Sequence, residues 1–218
     1  MATISKDSNF ATLINVFTVI PSTQQRFVDG WVNFLETFMR FQPSFVSANL
    51  HKSLDGARVV NYAQWMSKEA YEAATRNPQQ MKPEVKEQWQ VIQTLVQAAD
   101  IKLYEVAFMA GQLREISQNN GVTTLINVFS VTPDQQQSFL EKLKVGDLLM
   151  REQPGYISTN FHLSLDGTRI TNYAQWESQK AFEAALDKQK SGSNTKPFQE
   201  VAAHADPHLY EIVWGANS

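Results

Sequence analysis

The chain of 218 residues contains no cysteine. That excludes disulfides, thiolate nucleophiles, iron–sulfur clusters and cysteine-type zinc sites. A basic block is also missing: 19 Lys and Arg are interspersed with 22 Asp and Glu, for a formal net charge of −3. Nucleic acid, which calls for a basic face, is therefore not an expected partner. No apolar run approaches the roughly 18 residues that cross a bilayer. The stretch Met1–Asn9 is polar, without the apolar segment of a secretory signal. No membrane association is expected, and the expected location is cytoplasmic. The phosphate-cradling G-x-x-x-x-G-K-[ST], the dinucleotide G-x-G-x-x-G and the nucleophile elbow G-x-S-x-G are all absent. Of four histidines, His204 and His208 stand four apart, but Pro207 lies between them and their first-half counterparts are Ala98 and Lys102. A continuous helix presenting both to a metal is not expected, and no metal site is assigned.

What is present is a duplication. Thr12-Leu13-Ile14-Asn15-Val16-Phe17 returns as Thr124-Leu125-Ile126-Asn127-Val128-Phe129. Ser47 to Trp65 returns as Ser158 to Trp176 with 13 of 19 positions identical, too many for a shared fold pattern alone. Ala99-Asp100 and Leu103-Tyr104-Glu105 return as Ala205-Asp206 and Leu209-Tyr210-Glu211. A spacing of roughly 110 residues is too long for a solenoid and long enough for a small domain. Two domains are expected, at 10–110 and 122–216, joined by the polar, glycine-bounded linker 111–121.

Each unit reads as β-α-β-β-α-β. Thr12–Val19 is a strand, and Pro21-Ser22-Thr23 opens a helix whose stripe is Phe27, Trp31, Phe34, Leu35, Phe38 and Met39. A strand from Phe45 leads through the Asp55-Gly56 turn signal into Arg58–Trp65. Helices follow at 68–75 and about 84–98, then a strand at 101–109. The second copy repeats the order with a shorter first helix and a Gly-Ser loop at 190–194. The fold class is α+β, two ferredoxin-like units. One-sided antiparallel sheets leave a face to cover. The partner copy is the natural cover, in a pseudo-twofold contact inherited from a dimer. Such a chain is expected as an intramolecular pseudo-dimer, a monomer or a weak homodimer.

Alternation along the return strand puts Asn61, Ala63 and Trp65 on one face and Arg58, Tyr62 and Gln64 on the other. If the first face meets the helices, Asn61 is an amide in an apolar cleft, with Asn15 as a second. An amide left unsatisfied by protein can hold a ligand carbonyl or oxyanion. Trp65 adds a flat wall with one N–H donor, and Tyr71 a phenol near the start of the next helix. A structural role fits the same residues, Asn61 capping a sheet edge and Trp65 anchoring a small core; from the residues alone both readings stand. His51 and His162 lie on the polar face of the second strand. They read as satisfied at the copy–copy contact, with proton transfer as the minority alternative.

The block N-Y-A-Q-W after S-x-N-x-H-x-S-L-D-G, present in both halves, resembles the antibiotic-biosynthesis monooxygenase family, and most of all its cofactor-free, quinone-forming members from aromatic polyketide pathways. The resemblance implies a dimeric α+β barrel with a cleft between sheet and helices in each unit. It implies that a small hydrophobic substrate, deprotonated and phenol-like, reacts with O₂ without metal or flavin, so no cofactor is expected. By position it implies catalytic roles for Asn61, Trp65 and Tyr71, and substrate contacts from Asn172 and Trp176 in the second copy; Asn15 and its repeat Asn127 join the expected substrate contacts as amides within the first strands. Phe182 replaces the tyrosine in the second copy, which implies a silent or divergent second site. The family's basic residue on the later helix falls on Arg76, Lys82 or Lys86. Haem-degrading relatives use a histidine on the second helix, and 68–98 contains none. The rival functions are a non-catalytic small-molecule or stress-response module on the same fold, and a structural interaction protein whose clefts are filled by its own side chains.

Overall fold

A computed structural model describes residues 2–75, 81–118, 121–191 and 205–217. The first copy contributes β2 (Ala11–Val19), α1 (Gln24–Thr37), β3 (Phe45–Ser53), β4 (Arg58–Trp65), α2 (Lys68–Thr75), α3 (Pro83–Thr94) and β5 (Val96–Gly111). The second contributes β7 (Thr123–Ser130), α4 (Gln136–Arg151), β8 (Tyr156–Ser164), β9 (Arg169–Trp176), α5 (Gln179–Ser191) and β10 (Ala205–Asn217). Two short strands, β1 (Ala2–Thr3) and β6 (Glu115–Ile116), pair with each other; β6 falls inside the polar stretch 111–121.

The eight long strands close into one antiparallel barrel in the order β10-β3-β4-β2-β5-β8-β9-β7. The two ferredoxin-like units thus form a pseudo-dimeric α+β barrel, as the duplication suggests. Closure depends on the last strand of each copy. β5 pairs with β2 of its own copy and then with β8 of the other; β10 pairs with β7 and then with β3. This double duty explains why β5 starts at Val96, five residues before the sequence pattern suggests: Val96–Ala99 completes the ladder with Phe17–Val19. The same strands reach the opposite helix layer. Trp214 Nε1 of β10 donates to Glu36 Oε1 on α1 at 2.9 Å, and Phe108 of β5 lies under Arg151 and Lys144 of α4.

The connection from β3 to β4 is longer than the Asp55-Gly56 pair alone. Residues 54–57 turn the chain, with Gly56 left-handed at φ 80° and Asp55 Oδ1 accepting from Ser53 Oγ and the Ala57 amide. Gly167 repeats this at φ 78°. A side chain at either glycine would also strike a proline, Pro21 or Pro133, at under 3 Å. The first helix of the second copy is not the shorter one. α1 breaks at Phe38 into a single 3₁₀ turn, whereas α4 runs unbroken through Arg151, where an Asp147–Arg151 ion pair spans its last turn.

The barrel interior is where the copies meet. Burial is complete around Tyr62 and Tyr173, whose rings touch at 5.8 Å. His51 Nδ1–H donates to Val60 O at 3.3 Å and its Nε2 accepts from Tyr173 Oη at 3.0 Å. His162 repeats the tyrosine bond with Tyr62 Oη at 3.1 Å, while its Nδ1 lies 3.2 Å from Asn160 O of its own strand. Each copy's histidine is therefore satisfied by the other copy's tyrosine. Burial pushes both imidazoles from 6.5 to about 4, so they are neutral, and the carbonyl fixes which nitrogen carries the proton. Gln64 and Gln175 take part in the same design. Each accepts from a serine (Ser47, Ser158) and donates to a backbone carbonyl of the β1–β6 ribbon, Thr3 O and Glu115 O. Ala2, Ile4 and Ile116 of that ribbon close the interior core.

Candidate active site

The five residues N-Y-A-Q-W divide by face. Tyr62 and Gln64 point into the barrel, while Ala63 and Trp65 join the core beneath the helices. Asn61 shares that outer face by alternation. Its Cα partner on β2 is Asn15, and Asn127 pairs with Asn172 in the same way. Each copy thus sets two amides side by side across neighbouring strands, close enough for both to face one ligand atom. The sequence names all four residues, but only the register reveals that they are directly opposed.

These amides are left unsatisfied. The Oδ1 atoms of Asn15, Asn61, Asn127 and Asn172 and the Nε1 atoms of Trp65 and Trp176 are buried without a hydrogen-bond partner. Buried polar groups are nearly always paired, and each lone one costs about 1–3 kcal/mol. Six at matching positions in two copies constitute a repeated feature. An orphaned acceptor beside an orphaned indole donor suits a ligand that presents both a hydroxyl or C–H edge and a carbonyl or oxyanion.

The surroundings differ between copies. Over the first sheet an aromatic cluster fills the layer. Trp31 lies 4.5 Å from Phe17 and 5.6 Å from Trp89, and Phe34 lies 4.8 Å from Trp89. Asn15 and Asn61 are only 5% and 3% exposed beneath it. Trp65 is fully buried, with Tyr71 edge-on at 5.6 Å. Tyr71 in turn lines an open groove of about 300 Å³ with Leu13, Ile101 and Leu103, closed on one side by Leu165 and the Lys102–Asp166 ion pair. Leu165 and Asp166 come from the second copy's hairpin. The expectation of one cleft bounded jointly by Asn61, Trp65 and Tyr71 therefore needs correction. Tyr71 lines the groove, Trp65 stands behind it, and Asn61 lies deeper under the aromatic cluster. Burial, then the charge of Glu72, raises the Tyr71 phenol above its ordinary range, so at neutral pH it carries its proton.

In the second copy Asn127 and Asn172 are partly exposed. Trp176 is buried between Phe182 at 5.5 Å and Tyr156 at 5.6 Å. Sequence reasoning missed Tyr156; the signal available was its place directly opposite Trp176 at the mouth of the strand pair. Of the basic candidates, Lys82 and Lys86 lie on or beside α3 and do not line the Tyr71 groove; Arg76 falls outside the described residues. The groove's cations are instead Lys68 and Lys102. His204 also falls outside the described residues, and His208 is clasped between Asp55 and Asp206 at 2.6 and 3.0 Å. No helix among the described residues is long and apolar enough to cross a membrane.

Comparisons with known proteins agree with this architecture. The Tetracenomycin-F1 monooxygenase of Streptomyces glaucescens is 46% identical over 78 residues, a span covering 36% of this chain and 70% of that protein. A crystal structure described as an anthrone oxidase-like protein superposes with a TM-score of 0.84 over 99% of this chain and 96% of its own, at 21% identity, a likeness of fold. The family model described as antibiotic biosynthesis monooxygenase matches twice, at residues 10–82 and 123–191, more than half of the chain, and the chain belongs to that family as a member carrying two copies of the domain.

Proposed function

We propose that this protein is a cofactor-independent monooxygenase that oxidises an electron-rich, hydrophobic polycyclic phenol or anthrone with O₂. The carrying observation is the repeated set of opposed amides and buried tryptophan, with six polar atoms unpaired at the sheet–helix boundary. In this reading the Nδ2–H groups of Asn61 and Asn15 and Nε1–H of Trp65 donate to the substrate oxygen whose charge grows as it is deprotonated, which requires the aromatic cluster over the two amides to open toward the Tyr71 groove. Tyr71, protonated and edge-on to Trp65, donates a proton to the reduced oxygen. Leu13, Ile101 and Leu103 give the groove an apolar wall against which the ring system can lie. The resemblance of this chain to the Tetracenomycin-F1 monooxygenase supports the substrate class.

The test is O₂ uptake by metal-stripped protein supplied with a reduced anthrone or hydroquinone, beside Asn61→Ala and Trp65→Phe. Protein-dependent uptake that falls in both variants is the expected result. The burial of Asn15 and Asn61 under Trp31 and Phe34 favours a second reading, an interaction protein whose clefts are filled by its own side chains. Absence of both binding of the same compounds and O₂ uptake would select it, whereas tight binding with no O₂ consumed would select a binding module without turnover.

A further inference from the structure

The second copy has lost the phenol at Phe182 but carries one on the opposite edge of its tryptophan. Trp65 stands between Phe45 at 5.7 Å and Tyr71 at 5.6 Å; Trp176 stands between Tyr156 at 5.6 Å and Phe182 at 5.5 Å. Phe45 and Tyr156 occupy the same register, each the Cα partner of its tryptophan. Hydroxyl and hydrogen have changed sides within one three-ring stack.

Two further differences lie beside the relocated hydroxyl. α4 places Asp147 where α1 has Leu35. Asp147 is 5% exposed; its Oδ2 takes Arg151 Nε at 2.6 Å and its Oδ1 faces Tyr156 Oη at 3.5 Å. A buried carboxylate with one cation and one phenol is an expensive feature where the first copy uses hydrocarbon. The helix itself carries less bulk: Leu143 and Gly146 stand where α1 has Trp31 and Phe34, and a Cβ on Gly146 meets nothing within 4 Å among the described residues. Among the described residues the apolar core under these helices forms two separate clusters, one around Leu140 and Phe161, the other around Trp176, where the first copy has one. Asn127 and Asn172, partly exposed and with unpaired oxygens, lie between them in the sheet.

We propose that the second copy holds its own oxygenation site for the same substrate class, in which Tyr156 is the catalytic phenol and Asp147 the positioning carboxylate behind it. The proposal rests on the monooxygenase reading above. The acidic C–H proton of an anthrone passes to Tyr156 Oη as the phenol's own proton passes to Asp147 Oδ1. The carbanion's electron pair reduces O₂ and forms the C–O bond; the peroxide then takes the proton back. Loss of the second C–H proton together with hydroxide breaks the O–O bond. The products are one carbonyl and one water from a CH₂ group and O₂, so atoms and electrons balance. Nε1–H of Trp176 and Nδ2–H of Asn127 and Asn172 donate to the substrate oxygen, as their counterparts do in the first copy.

The experiment compares O₂ uptake with anthrone for the full chain, Tyr71→Phe, Tyr156→Phe and the double variant. Tyr71→Phe should keep part of the turnover, and adding Tyr156→Phe should lower it by about 100-fold, at the low end of acid–base contributions. In the Tyr71→Phe background, Asp147→Asn should leave KM in place and lower kcat, and Asp147→Glu should restore part of it, a pattern that a packing role would not produce. Binding of anthraquinone gives an independent readout: two equivalents for the full chain, one for Gly146→Phe, which restores the first copy's bulk. If Tyr71→Phe alone falls to the level of the double variant, the second site is refuted while the monooxygenase reading stands. Two equivalents bound to Gly146→Phe would also overturn it. If the unaltered protein consumes no O₂, the monooxygenase reading itself fails.

Discussion

Inside the barrel, His51 and Tyr173 repeat His162 and Tyr62 nearly atom for atom; beneath the helices, Trp31 and Phe34 of one copy face Leu143 and Gly146 in the other. The contrast separates two kinds of constraint. The interior is shared, so each copy's change would strand a polar group of its partner. The helix layers are private, and each copy is free to fill or open its own. The opposed amides and the tryptophan are kept in both layers, as are the core pairs Leu13/Leu125, Phe17/Phe129 and Ala63/Ala174 around them.

The largest expected effect breaks the shared part. Burial holds His51 and His162 neutral, with pKa values lowered from 6.5 to about 4. A lowered value in the folded state means that the stabilisation is complete above 6.5 and is lost as pH falls from there toward 4. At most about 3 kcal/mol for each histidine is lost over that window. Urea unfolding at pH 7 and pH 5 measures it, and equal responses of the single variants His51→Gln and His162→Gln would confirm that the interior is symmetric.

The private layers should respond unequally. Trp31→Ala removes the centre of the first aromatic cluster and should cost about 3–5 kcal/mol, read as a fall in the denaturation midpoint. Gly146→Phe should cost less than the 1–3 kcal/mol typical of overpacking; a larger loss would mean that the second layer is already full. A smaller, symmetric effect is expected at the glutamines that open the first helix of each copy. Gln24 Nε2 donates to Ser53 O and Arg58 O, and Gln136 Nε2 to Ser164 O and Arg169 O. Alanine at either should cost about 1–3 kcal/mol, since two carbonyls lose their donor.

The smallest effect is at the barrel rim, where matching clusters use different cations. Arg58, Asp206, His208 and Asp55 form one; Arg169, Asp100, Lys102 and Asp166 form the other. The hydrogen bond that His208 donates to Asp206 raises the His208 pKa, so its contribution is full below 6.5 and is lost as pH rises through that raised value. The lysine cluster stays paired. Each is worth about 1 kcal/mol or less. His208→Gln should flatten the alkaline side of the stability profile, and Lys102→Gln should not.

Much of this was legible in the sequence because it depends on period and repetition. The duplication, the β-α-β-β-α-β order and the division of N-Y-A-Q-W between two faces follow from alternation alone. What escaped depends on pairing between distant strands. No local pattern tells that β5 and β10 each serve both copies, that Asn15 stands opposite Asn61, or that Phe45 and Tyr156 stand directly opposite a tryptophan. The depth of Asn61 under Trp31 and Trp89 also depends on how two helices converge, which a single stripe does not encode.

The most direct test of the central claim is to supply metal-stripped protein and an anthrone with isotopically labelled dioxygen and weigh the product. Cofactor-free monooxygenation predicts one labelled oxygen in the new carbonyl and one in water, unaffected by chelator. An unlabelled product, or label that enters only after a metal or flavin is added, would contradict it.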